Sequence, residues 1–244
     1  MAGQRQRIIP DGCLDMCFIF GDDIKRYTSK DKFVIQPRAM VLGQITKPFF
    51  IEPTGYVKSF AVRFYPYGFA NFVSAPIKDL ANKETPLALL FGSREAKELE
   101  EKIINAPDTK ARIKIAEDFL FKRLHDQESI DNIVKKTIDT MFLTSGKATI
   151  RESFKDDLSR RRQLERKFMK QVGVSPKQLS KVIRLQTALK MMLDSQPESL
   201  TKIAYDNNYY DQAHFTKDFK EFTGTTPGEF FRNEEMVLSS LIYR

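Results

Sequence analysis

Ile203-Ala204-Tyr205-Asp206-Asn207-Asn208-Tyr209-Tyr210-Asp211-Gln212-Ala213-His214-Phe215, continuing through Phe219 to Gly224-Thr225-Thr226-Pro227, is the stretch that decides the fold. Residues 200–207 have helical spacing, Asn208-Tyr209-Tyr210 makes a sharp turn, and a new helix starts at Asp211. Two short helices joined by a tight turn form a helix-turn-helix, whose second helix enters the DNA major groove in proteins that use it to bind DNA. Phe215 and Phe219 stand four apart and give that helix an inward stripe, which leaves Gln212, Ala213, His214, Thr216 and Lys217 facing outward. These side chains suit base edges: Gln addresses adenine, Ala meets a thymine methyl, and Lys reaches guanine or phosphate.

The pattern occurs twice. Leu164, Phe168, Gly173, Ser175, Pro176, Gln178 and Leu179 match Phe215, Phe219, Gly224, Thr226, Pro227, Glu229 and Phe230 at a constant offset of 51. Each copy reads helix, glycine stop, hydroxyl cap, proline, new helix. Thr149-x-x-Glu152, Ser175-Pro176-x-Gln178 and Thr226-Pro227-x-Glu229 are capping boxes, two of them with proline at the first helical position. In the first copy Leu164, Phe168 and Val172 point inward, so Arg161, Arg162, Glu165, Arg166 and Lys170 are its outward candidates. Between the copies, residues 177–194 carry an apolar stripe of Leu179, Val182, Ile183, Leu189, Met192 and Leu193. A helix of that length spans roughly 27 Å, comparable to the roughly 34 Å between successive major-groove faces.

Charge concentrates on the first copy. The 244 residues carry a net +8 and the pI is near 9.3. Residues 145–190 hold 13 basic against 4 acidic groups, whereas residues 1–144 hold 22 against 19 and residues 191–244 hold 5 against 9. A cationic window inside a foldable helical segment is the footprint of a phosphate-binding surface. A solvated helix face is the plainer alternative on charge alone.

The first 66 residues read as strands. Residues 16–20, 33–35, 39–42 and 49–51 are short apolar runs separated by Gly, Pro and Asp clusters, and 56–64 alternates with Tyr56, Phe60, Val62 and Phe64 on one face. Helical patterns follow: one capped by Ser93 and running to about Ile104, one with Pro107 in its first turn and Ala111, Ile115, Phe119 and Leu124 in line, and one over 128–142. These helices are expected to cover the sheet and lead away from it, and Thr144-Ser145-Gly146-Lys147 is expected to be a linker. The fold class is therefore α+β: a small antiparallel, barrel-like β-rich domain with covering helices at 1–145, then an all-α domain at 146–244 with two helix-turn-helix units joined by a long helix.

The same composition excludes several functions. Only His125 and His214 exist, and none in 1–124, which argues against a metal-dependent β-barrel enzyme. Cys13 and Cys17 are too far apart along a strand for one ion, so buried thiols are expected, with no metal and no cofactor. Neither a secretory leader nor a run of about 18 to 20 apolar residues is present, which points to a soluble cytoplasmic protein without membrane contact. An architectural DNA-bending module is a further alternative, separable by competition against random duplex.

Arg162-Gln-Leu-Glu-Arg-Lys-Phe168 with Gly173-Val-Ser-Pro176, and Tyr209-Tyr-Asp-Gln-Ala-His-Phe215 with Phe219-Lys-Glu-Phe-Thr-Gly224-Thr-Thr-Pro227, resemble the DNA-binding domain of the AraC family of bacterial transcription regulators over about 150–232. The resemblance implies base contacts by Arg162, Glu165 and Arg166 in the first unit and by Gln212, Ala213 and Lys217 in the second. It implies double-stranded DNA as partner and no enzymatic activity, with RNA polymerase, a small-molecule effector and a second copy of the chain as further partners. Asn208 stands where the family usually has Gly, and Arg160-Arg161-Arg162 contains one residue more than the family pattern. Pro10-Asp11-Gly12-Cys13, Leu42-Gly43-Gln44 and Phe60-Ala-Val-Arg63-Phe64 are similar to the β-rich sensing or dimerisation domain that precedes this module in one subgroup.

Overall fold

Alternation in 57–64 becomes an eight-residue strand, the longest of the N-terminal half together with its neighbour at 14–21. The computed structural model describes residues 3–124, 130–147, 157–194 and 199–230. The strands are β1 (Gln6–Ile8), β2 (Leu14–Gly21), β3 (Ile24–Tyr27), β4 (Phe33–Ile35), β5 (Ala39–Leu42), β6 (Phe49–Pro53), β7 (Val57–Phe64) and β8 (Glu84–Pro86). They form two four-stranded sheets, ordered β1-β6-β3-β4 and β7-β2-β5-β8, and every pairing is antiparallel.

Even-numbered residues of β2 and β7 explain the core. Leu14, Met16 and Phe18 turn to one face with Phe60, Val62 and Phe64, as period two requires. Three helices cover that face: α1 (Leu87–Phe91), α2 (Ser93–Asn105) and α3 (Thr109–Phe121). Leu87, Ala96, Leu99, Ile103, Ala116 and Leu120 supply their share of the packing. On the other face Arg63 pairs with Asp15, its cross-strand neighbour, at 2.8 Å, and with Asp11 at 3.0 Å.

Strands β1, β3 and β8 have no apolar run and escape a hydrophobicity reading. Lys25 of β3 pairs with Glu52, its cross-strand neighbour on β6, at 3.1 Å, and Arg26 pairs with Glu84 of β8, in the other sheet, at 2.9 Å. Two helix starts also differ from expectation. Gly92, with φ 85°, takes the N-cap of α2, so Ser93 lies inside the helix. Asp108 caps α3 by accepting from the Ala111 N–H at 2.8 Å, which leaves Pro107 ahead of the first turn.

The helix expected over 128–142 is α4 (Asn132–Leu143). It does not cover the sheet. Val134, Ile138 and Met141 pack with helices α5 (Leu158–Gln171) and α6 (Pro176–Asp194), through Leu164, Phe168, Leu179 and Ile183. By packing, α4 thus belongs with the C-terminal helices although it precedes the 145/146 division read from the sequence. Beyond it lie α7 (Leu200–Asp206), α8 (Gln212–Thr223) and α9 (Pro227–Phe230). The first unit's leading helix, with Thr149, Glu152, Ser153 and Phe154, falls outside the described residues, as does His125.

The β-rich half grips both C-terminal units. Ile9, 2% exposed, is packed into the core that α6, α7 and α8 share. On either side of it, the Arg7 guanidinium donates to the Thr223 carbonyl at 3.0 Å and the Gln186 amide donates to the Pro10 carbonyl at 2.7 Å. At the first unit, Gly173 (φ 91°) ends α5 so close to the 3-10 turn at 77–80 that a Cβ would lie 2.9 Å from the Ile77 carbonyl oxygen. Glycine is required there twice over, for backbone conformation and for clearance.

Removing the Ile9 side chain creates a cavity in the second unit's core from the other half of the molecule. Ile9→Ala should lower stability by about 2–5 kcal/mol. Urea unfolding of the full chain, followed by circular dichroism, measures this; an unchanged midpoint would mean that the grip contributes nothing to the fold.

Candidate nucleic-acid interface

Each of the two helices α5 and α8 is built by a cap, an inward stripe and an outward face. For α5 the cap is Asp157, whose carboxylate accepts from the Arg160 N–H at 3.0 Å. Leu164 and Phe168 are fully buried and Val172 closes the stripe at the next turn. Arg161, Arg162, Glu165, Arg166 and Lys170, the residues singled out from sequence, are all exposed. Arg161 reaches Glu165 at 3.4 Å one turn on, an i,i+4 pair that adds little stability and steadies both side chains. Arg160 and Gln163 are exposed on the same helix and were passed over, although the same stripe that turns Leu164 inward turns them out. Lys167 is spent otherwise: it pairs with Asp131, the cap of α4, and that hydrogen bond holds the Asp131 carboxyl below the usual range.

The second unit follows the same plan. Asn207 closes α7 by donating its side-chain amide to the Ile203 carbonyl at 2.8 Å. Asn208 adopts φ 57°, a left-handed conformation that Asn tolerates better than other non-glycine residues. Tyr209 is buried in the turn, and Asp211 caps α8 by accepting from the His214 N–H at 2.7 Å. Phe215, Phe219 and Phe222 are buried; Gln212, Ala213, His214 and Lys217 are exposed, and Thr216 is half-buried. Gln212 is already engaged through its side-chain oxygen, which accepts from the Thr201 hydroxyl at 2.9 Å. The His214 ring lies edge-on to Tyr209, with centroids 5.3 Å apart. Lys220 is a further exposed cation of α8.

One residue that sequence reading missed holds this helix in place. Asp218, 4% exposed, accepts from Lys181 at 2.9 Å and from Arg184 at 3.2 Å, both on α6. Lys181 also meets Glu221 at 3.3 Å, and the Arg184 guanidinium lies over the Tyr209 ring, 4.2 Å from its centroid. The signal was present: 215, 218, 219 and 222 are i, i+3, i+4 and i+7, so Asp218 shares the buried stripe of the phenylalanines.

The repeat predicted at offset 51 is realised in both exits. Gly173 and Gly224 have φ 91° and 77°. Ser175 and Gln178 exchange backbone-to-side-chain bonds at 3.1 and 3.2 Å, and Thr226 and Glu229 do so at 2.9 and 3.3 Å. Both are complete capping boxes. Elsewhere, Cys13 is buried and Cys17 half-buried, and burial pushes both thiols up. Among the described residues no group of His, Cys, Asp and Glu could hold a metal ion, and no helix is long and apolar enough to cross a membrane.

Comparison with known proteins agrees with this geometry. Residues 159–233 match the helix-turn-helix domain family, and residues 2–86 match a domain of unknown function (DUF6597). The HTH-type transcriptional regulator MtrA of Neisseria gonorrhoeae is 36% identical over 70 residues, a match taking 29% of this chain and 23% of that protein. Two structures of ToxT from Vibrio cholerae are 14% identical, with TM-scores of 0.50 and 0.51, and cover 95% of this chain and 95% and 96% of theirs. At that identity the likeness is one of fold: a β-rich N-terminal domain followed by an all-α helix-turn-helix domain.

Removing one partner of a buried ion pair strands the other. Asp218→Ala leaves Arg184 uncompensated and should cost about 3–5 kcal/mol. A fall in the thermal midpoint of the full chain tests it, and a variant as stable as the parent would show that Asp218 does not hold α8 to α6.

Proposed function

Because residues 159–233 are an AraC-type helix-turn-helix domain, we propose that the chain is a sequence-specific DNA-binding transcription regulator that sets α5 and α8 into consecutive major grooves of one duplex. The observation that carries the proposal is the pair of exposed polar faces on two capped helices, both packed on one connector. Helix α6 has 19 residues and so spans about 28 Å at 1.5 Å per residue, near the roughly 34 Å between successive grooves.

The roles follow from side-chain chemistry. In α5, Arg162 and Arg166 present planar forks that match guanine O6 and N7, and Glu165 accepts from cytosine N4. Arg161 and Lys170 supply phosphate contacts that position the helix without reading sequence. In α8, Gln212 faces adenine, Ala213 a thymine methyl and Lys217 guanine, with Thr216 and His214 flanking them. The cationic first unit thus provides most of the phosphate affinity, and the near-neutral second unit adds selectivity.

The proposal extends to regulation. The β-rich half grips both units, so a ligand that alters the grip alters how the readers are presented. ToxT, a neighbour in fold, has been solved bound to (E)-4-(8-methylnaphthalen-1-yl)but-3-enoic acid, and a small-molecule effector is the analogous proposal for this chain. RNA polymerase and a second copy of the chain complete the proposed partners. The protein acts in the bacterial cytoplasm without catalysis or cofactor.

Two substitutions test the reading. Arg166→Ala should weaken operator binding by about 1–3 kcal/mol and relax one base position; an equal loss on every sequence would make Arg166 a backbone anchor only. Lys217→Ala probes the second unit, and no effect on any operator would remove α8 from the contact surface. Log affinity should fall against log salt with a slope of about −0.9 for each phosphate neutralised, read by titration at several salt concentrations.

A further inference from the structure

Among the described residues, strand β7 is the outermost of its sheet and β2 alone pairs with it. The register runs from Gly21 opposite Val57 to Leu14 opposite Phe64, and the Asp22 N–H donates to the Tyr56 carbonyl at 3.0 Å. Antiparallel ladders bond alternate pairs, so Lys58, Phe60, Val62 and Phe64 spend their main-chain groups on β2. Val57, Ser59, Ala61 and Arg63 aim theirs away from the sheet. The far side of β2 agrees: the Ile19 N–H donates to the Arg38 carbonyl at 2.7 Å, so its odd-numbered residues serve β5. Among the described residues, nothing pairs with the main chain of Val57, Ser59 or Ala61.

A groove of about 500 Å³ follows this edge between β7 and α3. Its lining includes Ser59 and Ala61 as well as Phe60 and Val62, whose side chains turn to the opposite face, so it wraps the edge itself. Ile113 on α3 stands 46% exposed beside it. Two charged side chains of the α3 wall have capacity to spare. Arg112 is held rigid by donating Nε to the Ile103 carbonyl at 3.1 Å and Nη2 to the Ala106 carbonyl at 3.0 Å, which leaves Nη1. Glu117 is exposed and has no ion-pair partner among the described residues.

We propose that this edge is where two copies of the chain meet, β7 antiparallel to β7 about a two-fold axis, joining two four-stranded sheets into one. The inference rests on the proposed homodimer and gives it a surface and a register. Only outward-bonding residues can pair across the edge, so odd-numbered positions face odd-numbered ones. Centred on Phe60, this places Ser59 against the partner's Ala61 and Val57 against the partner's Arg63. Phe60 then meets the partner's Phe60, an aromatic cross-strand pair, and Lys58 lies along the partner's Val62 with no like charges opposite. Arg112 and Glu117 both line the groove along this edge, so the axis sets charges of opposite sign on the two sides of the seam. That charge self-complementarity favours a second copy over a foreign strand, which would use the main chain alone. An open, proline-free edge of eight residues is otherwise a liability that folded proteins cover.

Sedimentation velocity on the full chain across a hundredfold concentration range tests this surface. Ala61→Pro removes only an outward N–H and is tolerable on an edge strand; Ile113→Lys charges the α3 wall without touching the ladder. The expected result is a wild-type dimer whose dissociation constant rises at least tenfold in each variant, with circular dichroism unchanged. Should Ala61→Pro fail to fold, Ile113→Lys decides the matter. A wild-type dimer unaffected by a folded variant would overturn this surface while leaving the homodimer standing. A monomer at every concentration would overturn both, and leave the edge to a foreign strand. Binding of a duplex by the monomeric variants keeps either failure distinct from failure of the DNA-binding reading.

Discussion

One helix with two buried faces governs the arrangement of the C-terminal half. Leu179 and Ile183 of α6 enter the core of the first unit, whereas Val182, Leu185, Ala188 and Leu189 enter the core of the second. Neither unit can turn relative to α6 without exposing its own apolar stripe, and the stripes lie on one rigid rod. The ion pairs from Lys181 and Arg184 to Asp218 add direction to that packing, because a buried carboxylate accepts only where donors are aimed. Exposed faces that belong to ordinary amphipathic helices thereby acquire a defined separation.

The β-rich half acts on this arrangement from outside. Its contacts reach the first unit at Ile77 and Gly173 and the second at Arg7, Ile9 and Pro10, so a single body touches both helix-turn-helix units. Tyr65 adds a ring contact to Phe142 of α4, with centroids 5.0 Å apart. Helices α1 to α3 cover one face of a sheet whose β7 edge is unpaired among the described residues, so the N-terminal half has one surface turned to the C-terminal helices and one strand edge turned away from its own sheet.

Legibility followed burial and chemistry. The apolar run at 16–20 and the alternation over 56–64 were readable because their even-numbered apolar residues face one core; β3 was not, since Lys25 and Arg26 are satisfied by Glu52 and Glu84 on strands far away in sequence. Caps with a reciprocal partner, Ser175 with Gln178 and Thr226 with Glu229, stood where expected, because both members lie within one turn. Ser93 and Pro107 misled, since a hydroxyl or a proline near a helix start competes with neighbours that cap as well or better, here Gly92 and Asp108. Helix α4 has the apolar spacing of a covering helix, and spacing says which face is buried without saying against what.

The chain by itself determined where the two helix-turn-helix exits stop and restart, that they repeat at a fixed offset, and which side chains of the helices beside them turn away from the core. Those properties are local, set by 3.6-residue periodicity, caps and glycine stops. Tertiary structure alone decided which core each apolar stripe enters. It assigned α4 to the C-terminal helices, placed Ile9 inside the second unit, made Asp218 the partner of α6 and, among the described residues, left the outer side of β7 unpaired. Such contacts join residues tens to more than two hundred positions apart, and no periodic pattern encodes a partner at that distance, because burial rewards any apolar surface alike.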